Sequence, residues 1–303
     1  MIKSAQENIE HVNPVIEQLI RWTDSQPLIR AVVLTSSRAI PHASVDLLSD
    51  YDVILVTRSI EPYYEDRTWL EVFGPVLAVY RDPLIDANGL TRSAYVVQYE
   101  NSLKIDFSLW PVELMQRVIN SEQLPAEFDA GYQVLVDKDD LTTGLKPPTF
   151  SGYIPVPPTE AQYMELLEGF FLDTTYVAKF LWRDDLVAAK HILDHSLKQE
   201  HLRPMLEWLA EIDHQWSLKP GPYGRRMKQY LRGDLWTELE RTYTGPGLEE
   251  NWEALFRTIA LMKRSAVEVG QHLGFTYPEQ LEQRTLNYLR KVRQLDRNSD
   301  RFS

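Results

Sequence analysis

The chain has 303 residues, 44% hydrophobic and 25% charged, which suits two globular domains with a sizeable core. It has no cysteine, which excludes disulfides, thiolate metal sites, iron–sulfur clusters and a cysteine nucleophile. Lys and Arg number 32 against 44 Asp and Glu, a net charge of −12, which argues against broad binding to a nucleic-acid backbone and is compatible with a cationic small substrate. No apolar run approaches the roughly 20 residues of a membrane span, and no signal-peptide pattern opens the chain, so a cytoplasmic protein is expected.

In chain order, the first element is an amphipathic helix running to about Asp24. Its buried stripe is Ile16, Leu19, Ile20 and Trp22, with Asn13-Pro14 as cap and first position. "LIRAVVLT" (28–35) and "YDVILVT" (51–57) read as strands, and "EDRTWLEVF" (65–73) as a helix stopped by Gly74-Pro75. "VLAVYR", "SAYVVQYE" and "LKIDFSL" are rich in β-formers, and "ENS" between the last two predicts a hairpin turn. "YQVLVD" (132–137) is a further strand candidate. Five prolines in residues 145–158 exclude helix and central strand, which places a domain boundary near residue 150. Beyond it the period is helical. Thr159 and Gln162 form a capping box ahead of a helix to about Trp182, and further helices are predicted near 184–198, 200–216, 223–232, 234–243, 249–274 and 278–293. The fold class expected is α+β: a mixed, partly antiparallel sheet domain over 1–150, then a helical bundle over 151–303.

"LSDYDVIL" (48–55) places Asp50 and Asp52 at the mouth of an apolar strand. Carboxylates two apart on an extended strand share a face and repel, and a divalent cation such as Mg²⁺ is the natural neutraliser. Asp106 stands inside the apolar strand "LKIDFSLW", opposite in facing to Ile105 and Phe107 and alongside Lys104 and Ser108. It is read either as a third metal ligand or as a carboxylate salt-bridged to Lys104 or a surface Arg. "LTSSRA" (34–39) puts Ser36, Ser37 and Arg38 directly after the first strand, where small residues allow a phosphate to approach the backbone. No P-loop or G-x-G-x-x-G occurs, and His191, His195 and His201 lack zinc spacing and read as helix-surface residues.

This order of small-Ser turn, D-x-D and lone later acid resembles the nucleotidyltransferase superfamily that includes DNA polymerase β. The whole chain is more closely similar to the aminoglycoside 6-adenylyltransferase family, also called streptomycin adenylyltransferases. The matching stretches are "SSRA", "DLLSDYDVILV", "TWLEVFG", "LKIDFSLWP", "VLVDKD", "TTYVAKFLWR", "NWEALF" and, near the end, "HLGFTYPE". The family has Gly-Ser-Arg where this chain has Ser36-Ser37-Arg38, and serine lacks glycine's freedom at positive φ.

The resemblance implies transfer of AMP from ATP to an aminoglycoside hydroxyl, most simply of streptomycin, releasing pyrophosphate and conferring antibiotic resistance. Asp50 and Asp52 would hold Mg²⁺. Asp106 would complete the metal site or take the proton. Ser36, Ser37 and Arg38 would contact the phosphates. On the first helix of the second domain, Tyr176, Lys179 and Arg183 share one face, and Lys179 would hold the triphosphate. A guanidinium-bearing substrate calls for carboxylates and an aromatic wall, for which Glu168, Asp173, Asp184, Asp185 and Trp110 are the candidates. Two other readings stay open: the same transfer to a different hydroxylated acceptor, and nucleotide binding without catalysis.

Overall fold

The computed structural model describes residues 13–40, 43–86 and 89–297. The chain divides into two compact units, Met1–Tyr153 and Ile154–Ser303.

The first unit is built on a sheet of order β3-β5-β6-β2-β1-β7, with β4 paired to β5. The strands are β1 (Ile29–Thr35), β2 (Tyr51–Thr57), β3 (Val76–Arg81), β4 (Ile85–Asp86), β5 (Thr91–Tyr99), β6 (Lys104–Pro111) and β7 (Tyr132–Asp137). The β2–β6 pair is parallel and the other pairs are antiparallel. Helix α1 (Pro14–Asp24) begins where Asn13 accepts from the Val15 amide, with Pro14 at a position that needs no amide hydrogen. Leu19 and Trp22 of its expected stripe are buried; Ile16 and Ile20 are half-buried at the rim.

Alternation along the central strands gives the sheet two apolar faces. Leu34, Val53, Leu55, Ile105, Phe107 and Leu109 pack under α1 and the 61–73 segment. There Trp22 stacks on Trp69 at 5.1 Å, and Trp69 meets Phe107 edge-on at 4.9 Å. The helix predicted over 65–73 is instead a short α2 (Glu61–Glu65) followed by a 3₁₀ turn over Thr68–Phe73. The tighter turn brings Trp69 and Phe73 onto one core, and the Trp69 indole donates to the Tyr63 carbonyl at 3.1 Å. The opposite face carries Val33, Ile54, Val56 and Trp110 against α3 (Val112–Asn120) and α4 (Ala126–Asp129).

The second unit is helical: α5 (Glu160–Arg183), α6 (Leu186–Lys190), α7 (Arg203–Asp213), α8 (Met227–Tyr230), α9 (Gly233–Glu240), α10 (Leu248–Leu273) and α11 (Glu279–Gln294). The capping box at Thr159 and Gln162 is present. Along α5, Tyr163, Leu167, Phe170, Thr174, Val177 and Leu181 are buried, and the Tyr163 hydroxyl donates to the Ala266 carbonyl of α10 at 2.9 Å. The break predicted between helices at 198–200 does not occur. A π-helical stretch, His191–Leu202, joins α6 to α7 without interruption. The wider turn buries Lys198 completely, beside Asp194 at 2.6 Å and over the Tyr243 ring. Among the described residues no helix is long and apolar enough to cross a membrane.

Candidate active site

Parallel pairing of β2 and β6 sets Asp52 directly beside Asp106. The Thr35–Asp52 pairing of β1 and β2 brings the β1 end to the same place. Below them on the same sheet face lie Ile54, Ser108 and Trp110. Together with Ser36, Arg92, Glu127 and Tyr153 these residues line a cavity of about 220 Å³. The apolar stretch behind the acids holds them on rigid strands, which a loop would not do.

Asp50, the residue before β2, reaches Lys104. The Lys104 ammonium donates to Asp50 Oδ2 at 2.7 Å and to Asp106 Oδ2 at 3.0 Å. It also stands 2.9 Å from Asp106 Oδ1, but without hydrogen-bond geometry, and Oδ1 is buried with no donor. Of the two readings of Asp106, the salt bridge to Lys104 is therefore formed. Among the described residues no three carboxylate or imidazole groups gather as a ready metal cluster, and the Lys104 ammonium bridges two of the three acids. Burial and the neighbouring Asp106 and Asp50 charges raise the Asp52 pKa, against the Ser36 hydroxyl and Lys104. Burial raises that of Asp106, against Lys104. A half-buried anion with a free lone pair, next to a second anion of raised pKa, is a donor set that suits a hard divalent cation.

Ser36 opens the 3₁₀ turn Ser36–Ala39 at φ = 61°, the left-handed conformation that glycine adopts freely and serine does not. Arg38 of the same turn is engaged by the protein itself. Its guanidinium donates to the carbonyls of Ser49 and Asp50 and lies 3.9 Å over the Tyr51 ring. That ties the 46–50 loop down and fixes where Asp50 sits. Trp110 is 4% exposed and packs on Phe128, with one edge reaching the cavity.

The remaining candidates belong to the helical unit. The Lys179 ammonium lies over the Tyr176 ring at 4.2 Å, with Arg183 exposed one turn on. Glu168 lines a wide cleft of about 1070 Å³ with Phe171, Phe275, Tyr277 and Glu279. Asp173 is paired instead with His201 at 3.1 Å, and His201 is mostly buried, so it is no surface histidine. Asp184 ends α5 in the left-handed conformation and lies 3.5 Å from Arg297, and Asp185 precedes α6. Those three carboxylates are accounted for by helix ends and ion pairs.

Sequence reading missed Arg92, Glu127 and Tyr153. Glu127 was hidden because α4 is four residues long and has no periodicity to reveal. The signal that could have found it is the segment that packs on it. Asp129 accepts from the Thr149 amide at 2.8 Å, the Thr149 hydroxyl at 2.7 Å and the Ser151 hydroxyl at 2.8 Å, which pulls its pKa down to about 2. A Cβ on Gly152 would come within 2.2 Å of the Ala126 carbonyl oxygen, so only glycine lets this segment lie on α4.

The sequence profile described as streptomycin adenylyltransferase matches residues 10–292. The chain is similar to the aminoglycoside 6-adenylyltransferase of Bacillus subtilis (strain 168), at 28% identity over 83% of this chain and 87% of the relative. It is similar to the aminoglycoside 6-adenylyltransferase of Campylobacter jejuni at 26% identity over 87% and 90% of the two chains. A solved structure titled as an aminoglycoside 6-adenyltransferase from Bacillus subtilis aligns with 93% of this chain and 99% of its own, at 24% identity and a TM-score of 0.44, too low to add to the fold. On the near-full-length profile match, the chain belongs to the streptomycin adenylyltransferase family and is a nucleotidyltransferase enzyme.

Proposed function

We propose that this enzyme transfers AMP from ATP to a hydroxyl of an aminoglycoside, with streptomycin as the first acceptor to test, and releases pyrophosphate with Mg²⁺ as the metal. The observation that carries this reading is the side-by-side placement of Asp52 and Asp106 in one small cavity at the end of β1, with Ser36 at its rim. Asp50, Asp52 and Asp106 would hold the metal, which supplies charge neutralisation for the triphosphate and the departing pyrophosphate. Lys104 keeps the acids compatible until then and adds positive charge close to the phosphates. Ser36 and Ser37, at the turn after β1, offer hydroxyl and amide donors to phosphate oxygens. Arg38 shapes the loop that presents Asp50. Lys179, with Tyr176 and Arg183 on the same helix, is the candidate phosphate ligand among the helical residues. Glu168, among carboxylate and aromatic neighbours, is the candidate contact to a cationic acceptor.

In the reaction the acceptor oxygen attacks the α-phosphorus. Its bond to phosphorus forms as the bond to the bridging oxygen of the β-phosphate breaks; pyrophosphate carries off the electron pair, and the hydroxyl proton passes to a carboxylate of the site and on to solvent. The test is incubation with ATP, Mg²⁺ and streptomycin, with pyrophosphate release followed continuously and the antibiotic weighed by mass spectrometry. A mass gain of one AMP per antibiotic is expected. Absence of transfer to streptomycin or any other aminocyclitol would remove the acceptor assignment.

A further inference from the structure

The cavity that holds Asp52 and Asp106 contains a third carboxylate from a different direction. Glu127 comes from α4 and lines the cavity with Asp106, Ser108 and Trp110. Asp106 is committed to Lys104, and Asp52 faces Ser36. Among the described residues, what acts on the Glu127 carboxyl is burial and the charge of Arg92, with no hydrogen bond. Arg92 reaches the same cavity from β5. Helix α4 is not free to swing Glu127 away, since Asp129 and Gly152 clamp the 149–152 segment against it.

A half-buried carboxylate with unused lone pairs, held on a fixed backbone beside the metal-type acids, has the position of a proton acceptor. We propose that Glu127 is the general base of the transfer. As the acceptor oxygen bonds to the α-phosphorus, its O–H bond breaks and the proton passes to a Glu127 oxygen; pyrophosphate leaves with the electrons of the P–O bond, and Glu127 then returns the proton to solvent. Asp106 is thereby left to the phosphate end of the site, where Lys104 already holds it. This inference rests on the adenylyl-transfer reading above.

Burial raises the Glu127 pKa and Arg92 lowers it, which sets its ionisation closer to working pH than that of an exposed glutamate. The other charged or titratable groups facing the cavity are Asp52 from β2, Asp106 from β6 and Tyr153 from the end of the unit. Burial raises the Tyr153 pKa, and the charges of Glu127 and Asp52 raise it further, consistent with all three sharing one field.

The experiment compares wild type, Glu127→Gln and Glu127→Asp with ATP, Mg²⁺ and streptomycin across pH, and measures binding of α,β-methylene-ATP with Mg²⁺ by calorimetry. Glu127→Gln is expected to lose about 100- to 1000-fold in kcat. Its nucleotide Kd should stay within about twofold and the acid limb of its kcat profile should vanish, with Glu127→Asp recovering part of the rate. A glutamine variant with the wild-type rate and acid limb overturns the assignment. So does a loss of nucleotide affinity that accounts for the whole loss of rate, which would make Glu127 a phosphate-end residue. If the glutamine variant does not fold, Arg92→Met carries the test: the acid limb should move to higher pH, and an unmoved limb overturns the proposal. Wild-type protein that transfers AMP to no aminocyclitol defeats the functional reading, and the base with it; transfer by wild type with an unaffected Glu127→Gln defeats the base alone.

Discussion

Ser36 stands at φ = 61° with its hydroxyl acting on the Asp52 carboxyl across the end of β1. A non-glycine residue in that region carries a cost of roughly 1–2 kcal/mol. Replacing it with glycine removes the strain and adds back about 0.5–1 kcal/mol of unfolded-chain entropy. Ser36→Gly is therefore expected to sit within about 1 kcal/mol of wild type in urea denaturation. Ser36→Val, which puts a β-branched side chain at positive φ, should lose roughly 2–3 kcal/mol. Equal stability of the two variants would show that the turn relaxes out of the left-handed region.

Lys104 is the cation that the three acids have in this fold. Its removal leaves Asp50 and Asp106 facing each other and takes from Asp52 the positive charge of Lys104. The participants are about a quarter to a third exposed, so water screens part of the repulsion. Lys104→Met should cost on the order of 1–2 kcal/mol at neutral pH. Millimolar Mg²⁺ should raise the Tm of Lys104→Met more than that of wild type, because in the variant the ion alone relieves the repulsion. Identical Mg²⁺ responses would count against these acids as the metal ligands.

Burial and the adjacent Asp106 charge disfavour the ionised Asp52 carboxyl where the fold holds it. Asp52→Asn removes one of the three carboxylates in a half-buried cavity, the one beside Asp106, and keeps the shape. Its Tm at neutral pH should equal or exceed that of wild type, while AMP transfer falls below detection. A variant that is both less stable and still active would mean that the carboxylate is structural.

The sheet unit was legible because its strands carry strong β-formers, in near-continuous apolar runs at β1 and β2 and in alternation at β5 and β6. Ile105 and Phe107 facing away from Asp106 already implied which side the acid takes. The salt bridge to Lys104 was one of two readings and lies within β6 itself; whether Asp106 also met Asp52 was beyond local pattern, since only the parallel register of β2 and β6 sets the two acids side by side. The 3₁₀ turn over Thr68–Phe73 was missed because its aromatic spacing also suits an α-helix, and the Trp69 bond to the Tyr63 carbonyl is a tertiary choice. The π-helical stretch was invisible for the same reason: burial of Lys198 against Asp194 and Tyr243 decides it, and no local propensity does. Arg38 looked like a phosphate ligand from its place after the serines, but the carbonyls of Ser49 and Asp50 lie within its reach.

Asp129 gives a pH test of how α4 is held. Its pKa is pulled down to about 2 by donors from Thr149 and Ser151, against an ordinary value of 3.8. A carboxyl with a depressed folded pKa stabilises the fold above its unfolded pKa and loses that contribution as pH falls through the folded value. Protection of the Thr149 amide from hydrogen exchange, corrected for intrinsic rates, should be flat from neutral pH to about 4 and then fall toward pH 2. In Asp129→Ala it should be low at every pH, and kcat should drop as Glu127 loses its fixed backbone. Unchanged protection in the alanine variant would mean that Gly152 packing alone holds the segment.

Gly270 tests the packing that shapes the cleft of the helical unit. It lies near the end of α10, where the Phe275 amide donates to its carbonyl at 2.8 Å. A Cβ there would come to 2.9 Å from the Phe275 carbonyl oxygen and 3.1 Å from the Tyr163 hydroxyl. Alanine gains about 1 kcal/mol of intrinsic helix propensity over glycine. The clash is with backbone and with a ring whose hydroxyl is bonded to Ala266, so neither gives way cheaply, and overpacking of this kind costs roughly 1–3 kcal/mol. Gly270→Ala should therefore be less stable than wild type. Gly233→Ala, at the start of α9 with open space around it, should gain up to about 1 kcal/mol. Urea midpoints of the two variants should fall on opposite sides of wild type; a Gly270→Ala midpoint at or above wild type would show that the 274–278 turn yields and that the cleft around Phe275 and Tyr277 is adjustable.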